Sequence, residues 1–158
     1  MQKTPRIFYQ LQKAHSALFR AADKSSKATF GLTVSQQAVL FLLSRKDGQP
    51  ISDLAQTLSM GNSSLTGLVD RMCQKGFVRR EVLSSDARVV QIFIEQRGRE
   101  LIEKSVPAIK KYNQQLLAPF NEEEWQVIGR FLSHVSDNAD EIINGPEVSQ
   151  ELERAADG

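Results

Sequence analysis

Residues 61–80 read GNSSLTGLVDRMCQKGFVRR, and their apolar side chains recur at the spacing of a helix with one buried face. This apolar stripe consists of Leu65, Leu68, Val69 and Met72. The opposite face carries short residues with poor helix propensity: Ser63, Ser64, Thr66 and Gly67. A face that only meets solvent usually carries Glu, Lys or Gln, which are better helix formers. The small polar face is therefore predicted to be a contact surface, and plain solvent exposure is the alternative interpretation.

A short helix is predicted just before this segment. Residues 52–58, SDLAQTL, have a helical apolar spacing, and Ser52 is expected to be the N-cap. The turn SMG then separates the two helices, and Asn62 or Ser63 is expected to cap the second one.

The apolar period changes from 3.6 to 2 after Gly76. Alternating runs at residues 77–83 and 89–95, joined by the polar residues SSDAR, predict an antiparallel hairpin. Helix, tight turn, helix and hairpin together indicate a winged helix-turn-helix, whose second helix enters the major groove of DNA. Short hydroxyl side chains permit a close approach to base edges there, and the helix N-terminus offers N–H groups to a phosphate.

Heptad seams are predicted at both ends of the chain. Apolar residues repeat at intervals of three and four from Ile7 to Ala22 and again from Trp125 to Ile142. Two capping boxes are expected to begin helices: Thr33 with Gln36, and Asn121 with Glu124. A monomer gains little from such seams unless they are covered, so we expect packing partly within the chain and partly across a two-fold axis.

The predicted fold is mainly α-helical with a small β-hairpin wing, and it divides the chain into four parts. Residues 1–32 form an N-terminal dimerisation helix, and residues 33–98 form the winged helix-turn-helix domain. Residues 99–145 form C-terminal dimerisation helices, the first of which is expected to kink or restart at Pro107. Residues 146–158 are expected to be a flexible acidic tail.

Composition and charge indicate a soluble cytoplasmic protein that binds a polyanion. One cysteine among 158 residues excludes an internal disulfide and suits a reducing compartment, and no apolar run resembles a signal peptide or a membrane span. The net charge of +1 is segregated: +5 in residues 1–32, +4 in residues 61–120 and −8 in residues 121–158. The basic middle contains the unusual helix, and its modest excess of positive charge suggests a polyanion as the partner.

The sequence contains no set of residues typical of an enzyme, and neither a metal nor a cofactor is expected. His15, with Phe19, is either an effector-pocket residue or an ordinary helix histidine. Cys73 is either a redox sensor, with a pKa lowered by Arg71 and Lys75, or a small buried apolar residue. Trp125 and the phenylalanines are expected to lie mostly in the core, with some able to line an effector cavity.

The stretch from about Leu32 to Gly98 resembles the MarR family of bacterial transcriptional regulators. The similarity is carried by LTVSQQAVLFLL, by ISDLAQTLSMGNSSLTGLVDRMCQKGFVRR and by the wing SSDARVVQIFIEQRG. The flanking heptad helices match the dimerisation elements of that family. The resemblance implies a homodimer on a pseudo-palindromic operator, usually a repressor, and often released by a small ligand near the junction of the two lobes.

The resemblance also implies roles for individual residues. Positions that contact DNA in this family correspond here to Ser63, Ser64 and Thr66. Arg71 matches a mid-helix arginine able to reach a phosphate. Asp86 and Arg88 match a wing pair in which the acid orients an arginine in the minor groove, where a narrow A·T-rich groove attracts it.

Three positions depart from the family pattern. Gly67 and Ala87 stand where many members have basic residues, and Glu95 replaces a hydroxyl N-cap, a loss of about 1 kcal/mol if nothing compensates. Gly67 and Ala87, with the small net charge, keep a second hypothesis open, namely a winged-helix protein–protein adaptor with weak or no DNA binding. The two hypotheses differ in salt dependence, because phosphate contacts weaken steeply as salt is added.

Overall fold

A computed structural model describes residues 6–82 and 89–156 of the chain. Its elements are α1 (Ile7–Phe30), α2 (Val34–Arg45), β1 (Gln49–Pro50), α3 (Ile51–Thr57), α4 (Asn62–Gln74), β2 (Val78–Val82), β3 (Val90–Ile94), α5 (Gln96–Leu117), α6 (Glu122–Asp137), α7 (Ala139–Asn144) and α8 (Pro146–Ala156). The chain divides into two compact units, Met1–Pro107 and Ala108–Gly158. None of the described helices has the length and apolar character needed to cross a membrane. The expected fold class, mainly α-helical with a small winged sheet, is confirmed.

The core of the first unit lies between α2, α3, α4 and the sheet. Its buried apolar residues are Leu32, Val39, Leu40, Leu43, Leu54, Ala55, Leu65, Leu68, Val69, Met72, Phe77, Val78, Ile92, Ile94 and Ile102. Gly98 lets α5 approach this core closely, because a Cβ atom there would overlap the carbonyl oxygen of Phe77. The predicted inward stripe of α4 is therefore confirmed, and it fixes which face of that helix remains outside.

The sheet has three strands in the order β1-β3-β2, all antiparallel. The predicted hairpin is confirmed in β2 and β3, which pair from Val78↔Ile94 to Val82↔Val90. β1 was not predicted, since it has two residues and one of them, Pro50, cannot donate a ladder hydrogen bond. The wing residues 83–88 lie outside the described residues.

Two of the four expected helix caps are confirmed. Both capping boxes are present, at Thr33 with Gln36 and at Asn121 with Glu124. The expectations for Ser52 and for Asn62 or Ser63 are wrong, because α3 and α4 begin one or two residues earlier, with Pro50 and Gly61 at the N-cap positions. Neither of these residues makes a side-chain cap, so the first turn of α4 keeps backbone N–H groups without a side-chain acceptor.

The long helices differ from their predicted bounds. α1 continues to Phe30 and ends at Gly31, whose φ of +68° suits the left-handed position after a helix. α5 begins at Gln96 and continues through Pro107 as one helix, so it does not restart there. The last predicted helix is divided at Asn138 into α6 and α7, and the expected flexible tail is helical over Pro146–Ala156.

The expectation that the aromatic residues lie mostly in the core is wrong for this single chain. Phe77 is buried and Phe30 and Phe93 are half-buried, but Phe8 is 73% exposed and Trp125 is 42% exposed. The remaining phenylalanines are also exposed: Phe19, Phe41, Phe120 and Phe131. No described residue of α6, α7 or α8 is buried. Periodicity identifies residues that share a helix face, but it does not tell what covers that face.

Candidate nucleic-acid interface

The outer face of α4 forms one wall of an open groove of about 460 Å³. Four of the predicted contact residues line it together: Ser63, Ser64, Gly67 and Arg71. The rest of the lining comes from α1, from the start of α2, from the turn before α4 and from α4 itself. These residues are Asp23, Thr33, Ser35, Met60 and Leu68. The small side chains of α4 leave space beside the helix, and this space would let a binding partner come close to the helix backbone.

Thr66 is separated from the other predicted contacts. It is half-buried and does not line the groove, and its carbonyl oxygen accepts a hydrogen bond from Arg80 Nη2 at 3.4 Å. The same guanidinium forms an ion pair with Asp70, one turn further along α4. The side of α4 that carries Thr66 therefore meets strand β2, and the side that carries Arg71 faces the groove.

The guanidinium of Arg71 has no hydrogen-bond or ion-pair partner among the described residues, and its side chain is exposed. Four other arginines of the first unit do have partners in the chain: Arg79, Arg80, Arg97 and Arg99. Asp23 lies in the same groove, but it binds Lys27 and the backbone N–H of Val34, and these two contacts lower the pKa of its carboxyl group. Five guanidinium donors thus remain available for an external acceptor.

The base of the wing is tied together by Arg79. Its Nε donates to Glu81 at 2.6 Å, its Nη1 lies 3.3 Å from Glu95, and its guanidinium lies over the Phe93 ring at 4.9 Å. The hydrogen bond to Glu81 raises the pKa of Arg79 above its usual value, and Glu95 adds to this effect. Glu95, which departs from the family's N-cap, therefore has a role in joining β2 to the residue before α5.

A second link at the same base involves Asp47, which the sequence did not single out. One carboxylate oxygen accepts from the backbone N–H of Ile94 at 2.9 Å, and the other pairs with Arg99 at the start of α5. Asp47 also accepts from the N–H of Gly48 at 3.0 Å. These contacts fix the turn between α2 and β1 against the end of β3, the strand that follows the wing. Asp47 and Ile94 are 47 residues apart in the sequence.

Comparison with known proteins identifies the family. The model of the MarR family matches residues 32–90. The transcriptional regulator PecS of Dickeya dadantii is 30% identical over 136 residues, which cover 81% of each chain. The chain belongs to the MarR family. Like the members of this family and like PecS, it is a DNA-binding transcriptional regulator.

Two solved structures resemble the MarR fold described here. The regulator MOSR of M. tuberculosis, determined in complex with DNA, is 25% identical with a TM-score of 0.70, covering 84% of this chain and 94% of that chain. The S. aureus MepR–DNA complex has a TM-score of 0.79 at 21% identity, covering 86% of this chain and 99% of that chain. The MepR likeness shows the fold alone.

The remaining candidate residues of this MarR-family chain are distributed as follows. Asp86, Ala87 and Arg88 lie outside the described residues. His15 and Phe19 do lie together, with ring centroids 5.6 Å apart, but both are exposed on α1. Among residues 6–82 and 89–156, no group of His, Cys, Asp and Glu is placed to hold a metal ion.

Cys73 does not have the environment that a redox sensor requires. The thiol is half-buried, and burial raises its pKa, with a smaller opposing effect from Arg80. The expected lowering by Arg71 and Lys75 is therefore wrong. A raised pKa decreases the reactive thiolate at neutral pH, as in a cysteine that fills space.

Proposed function

We propose that this MarR-family regulator is a cytoplasmic repressor that binds a pseudo-palindromic operator as a homodimer. The observation that carries the proposal is the Arg71 guanidinium, which has no partner among the described residues and lies on a helix face otherwise made of small polar residues. In this proposal α4 lies in the major groove, with Ser63, Ser64, Gly67 and Arg71 toward the bases. Thr66, at the side of the helix, lies next to the DNA backbone.

The start of α4 is suited to a phosphate. The N-cap is Gly61, and no side chain accepts from the first turn of the helix. Free N–H groups and the positive end of the helix dipole attract an anion at this position. A phosphate bound here would set the depth at which α4 enters the groove.

The wing supplies a second contact in this proposal. The resemblance to the family assigns Asp86 the role of orienting Arg88, which enters the minor groove, and Ala87 contributes no charge. Replacing Arg88 by Ala is expected to lower DNA affinity strongly and to leave the fold and the dimer intact. Unchanged affinity in a titration would contradict this role of the wing.

The homodimer is supported by apolar side chains that the single chain leaves exposed. On α1 these include Ile7, Phe8, Tyr9, Leu18 and Phe19. On α6 they include Trp125, Val127, Phe131 and Leu132. Exposed apolar surface of this extent is typical of an interaction surface. Residues 1–32 and 99–145 would thus form the dimer, and residues 33–98 would bind DNA.

Release by a small-molecule effector is a further part of the proposal. His15 and Phe19 would contribute to the effector site only if the second copy covers their exposed face of α1. Titration of the dimer with candidate ligands, read out as loss of DNA binding, tests this part separately.

Selection of bound duplexes from a random DNA pool tests the proposed function. An enriched palindrome with half-sites about 34 Å apart is expected, because a two-fold dimer places its recognition helices one helical turn apart. The affinity for that palindrome should fall with salt at a log–log slope of about −0.9 for each phosphate neutralised. No enrichment at low salt would contradict the proposal and favour a protein–protein adaptor.

A further inference from the structure

The Arg71 side chain lies over residue 67, where a glycine leaves space on the outer face of α4. A Cβ atom built on Gly67 would lie 3.5 Å from Nη1 of Arg71, and no other atom outside the helix backbone lies within 4 Å. The arginine side chain therefore runs back along α4 by one turn, in the direction that helix side chains favour. Its guanidinium lies over Gly67 and lines the same groove as Ser63 and Ser64.

The space over Gly67 accepts a methyl group but not a longer side chain. A contact at 3.5 Å is an ordinary van der Waals distance, so alanine fits without moving the guanidinium. A longer side chain at residue 67 would occupy the space that Nη1 now fills. The basic residue that the family resemblance leads one to expect at this position would do so as well.

The neighbouring carboxylates do not compete for Arg71. Asp70 pairs with Arg80, and Asp23 pairs with Lys27 and accepts from the N–H of Val34. The guanidinium thus lies against the outer face of α4, and none of its donors has a partner among residues 6–82 and 89–156. A planar guanidinium in a fixed orientation in the major groove matches O6 and N7 of guanine, which it can bind with two hydrogen bonds.

We propose that Gly67 is a positioning residue that directs Arg71 to a single guanine in each half-site. This inference rests on the proposed function, because it requires α4 to lie in the major groove. The departure from the family pattern at Gly67 then does not remove a DNA contact. The contact that a basic residue at position 67 would make with DNA is replaced by a contact of Arg71, whose guanidinium occupies the space over the glycine.

Five proteins test the inference: the wild type, Gly67→Ala, Gly67→Leu, Arg71→Ala and the double variant Gly67→Leu/Arg71→Ala. Alanine and leucine both favour helix over glycine, so neither should unfold α4, and circular dichroism with urea unfolding checks this. Gly67→Gln serves as a second long side chain if the leucine variant fails to fold. Duplex selection gives the base preferences, and titration with the wild-type operator gives the affinities.

The wild type and Gly67→Ala are expected to select the same motif, with one strongly preferred guanine in each half-site. Gly67→Leu and Arg71→Ala should each lower the preference for that guanine by about tenfold, the loss typical of one bidentate contact. The double variant should prefer that guanine no less than Arg71→Ala does, because the leucine changes the guanine preference only through the arginine.

Three results would overturn the inference while the proposed function stands. Gly67→Leu could keep the guanine preference, the two effects could add in the double variant, or Arg71→Ala could weaken binding to all sequences alike. The last result would place Arg71 on a phosphate. Failure of the wild type to select any motif would overturn both the inference and the proposed function.

Discussion

Arg80 of β2 and Asp70 of α4 form an ion pair, with 2.9 Å between Nη2 and Oδ1. The same Nη2 lies 3.4 Å from the carbonyl oxygen of Thr66, so one guanidinium holds two successive turns of α4. β2 leads directly into the wing, and α4 carries the face proposed to read DNA. Arg80 thus links α4 to the strand that leads toward residues 83–88.

Replacing Arg80 by Leu is expected to weaken DNA binding more than it weakens the fold. Both partners are partly exposed, and such surface pairs contribute at most about 1 kcal/mol to the free energy of unfolding. Loss of the link lets the wing and α4 shift independently, so the affinity for a DNA that engages both should fall. Urea unfolding and DNA titration measure the two quantities separately. Exchanging the partners, with Asp70→Arg and Arg80→Asp together, should restore part of the affinity, and a double variant no better than Arg80→Leu would argue against the link.

Replacing Gly48 by Ala is expected to destabilise the first unit by about 2 kcal/mol. Gly48 has a φ of +67°, and an added Cβ would lie 2.7 Å from Cε1 of Phe93. The substitution therefore combines a strained backbone with a steric overlap. Urea unfolding measures the loss. In the background Phe93→Leu the steric overlap is removed, so Gly48→Ala should lower the free energy of unfolding only by the cost of the strained backbone. An equal decrease in both backgrounds would show that Phe93 does not contribute.

Cys73 is expected to react slowly with iodoacetamide in the native protein. Its raised pKa lowers the thiolate fraction at neutral pH, and its half-buried position restricts access. The rate at pH 7 should be at least about tenfold below that of the urea-unfolded chain. Because the pKa is raised, the native rate should still be rising at a pH where an ordinary thiol is already ionised. A native rate above that of free cysteine would restore the redox-sensor hypothesis. The chain has one cysteine, so the modification is unambiguous.

Replacing Leu132 by Asp is expected to convert the proposed dimer into monomers. Leu132 is 49% exposed on α6 in the single chain, and a carboxylate at that position could not be buried against a second copy without a large cost. Sedimentation velocity measures the oligomeric state. Gln126→Asp adds the same charge at an exposed polar position of α6 and should leave the dimer intact. If both variants dissociate equally, the added charge alone is responsible. If neither variant dissociates, the face of α6 that carries Leu132 is not part of the interface.

The local elements of the fold could be predicted because their signals are short-range. The buried stripe of α4, the capping box of Thr33 with Gln36 and the alternation in β2 and β3 each depend on residues a few positions apart. Helix starts were less accurate, as at Gly61, since the cap is set by the backbone angles of one residue. β1 escaped prediction because it exists only by pairing with β3, about forty residues further along the chain.

Sequence pattern alone was sufficient to identify a winged helix-turn-helix with a small polar face on its second helix. It placed Arg71 on that helix and Arg80 in the first strand of the hairpin, but it could not tell which of the two guanidinium groups pairs with a carboxylate of the same chain. The tertiary structure separates them: β2 brings Arg80 onto Asp70, while Arg71 lies over Gly67 without a partner in the part of the chain that the structure describes. The physical reason is that amphipathic periodicity is a property of neighbouring residues. Which charges find partners is decided by contacts between elements distant in sequence, which exist only when the chain has folded.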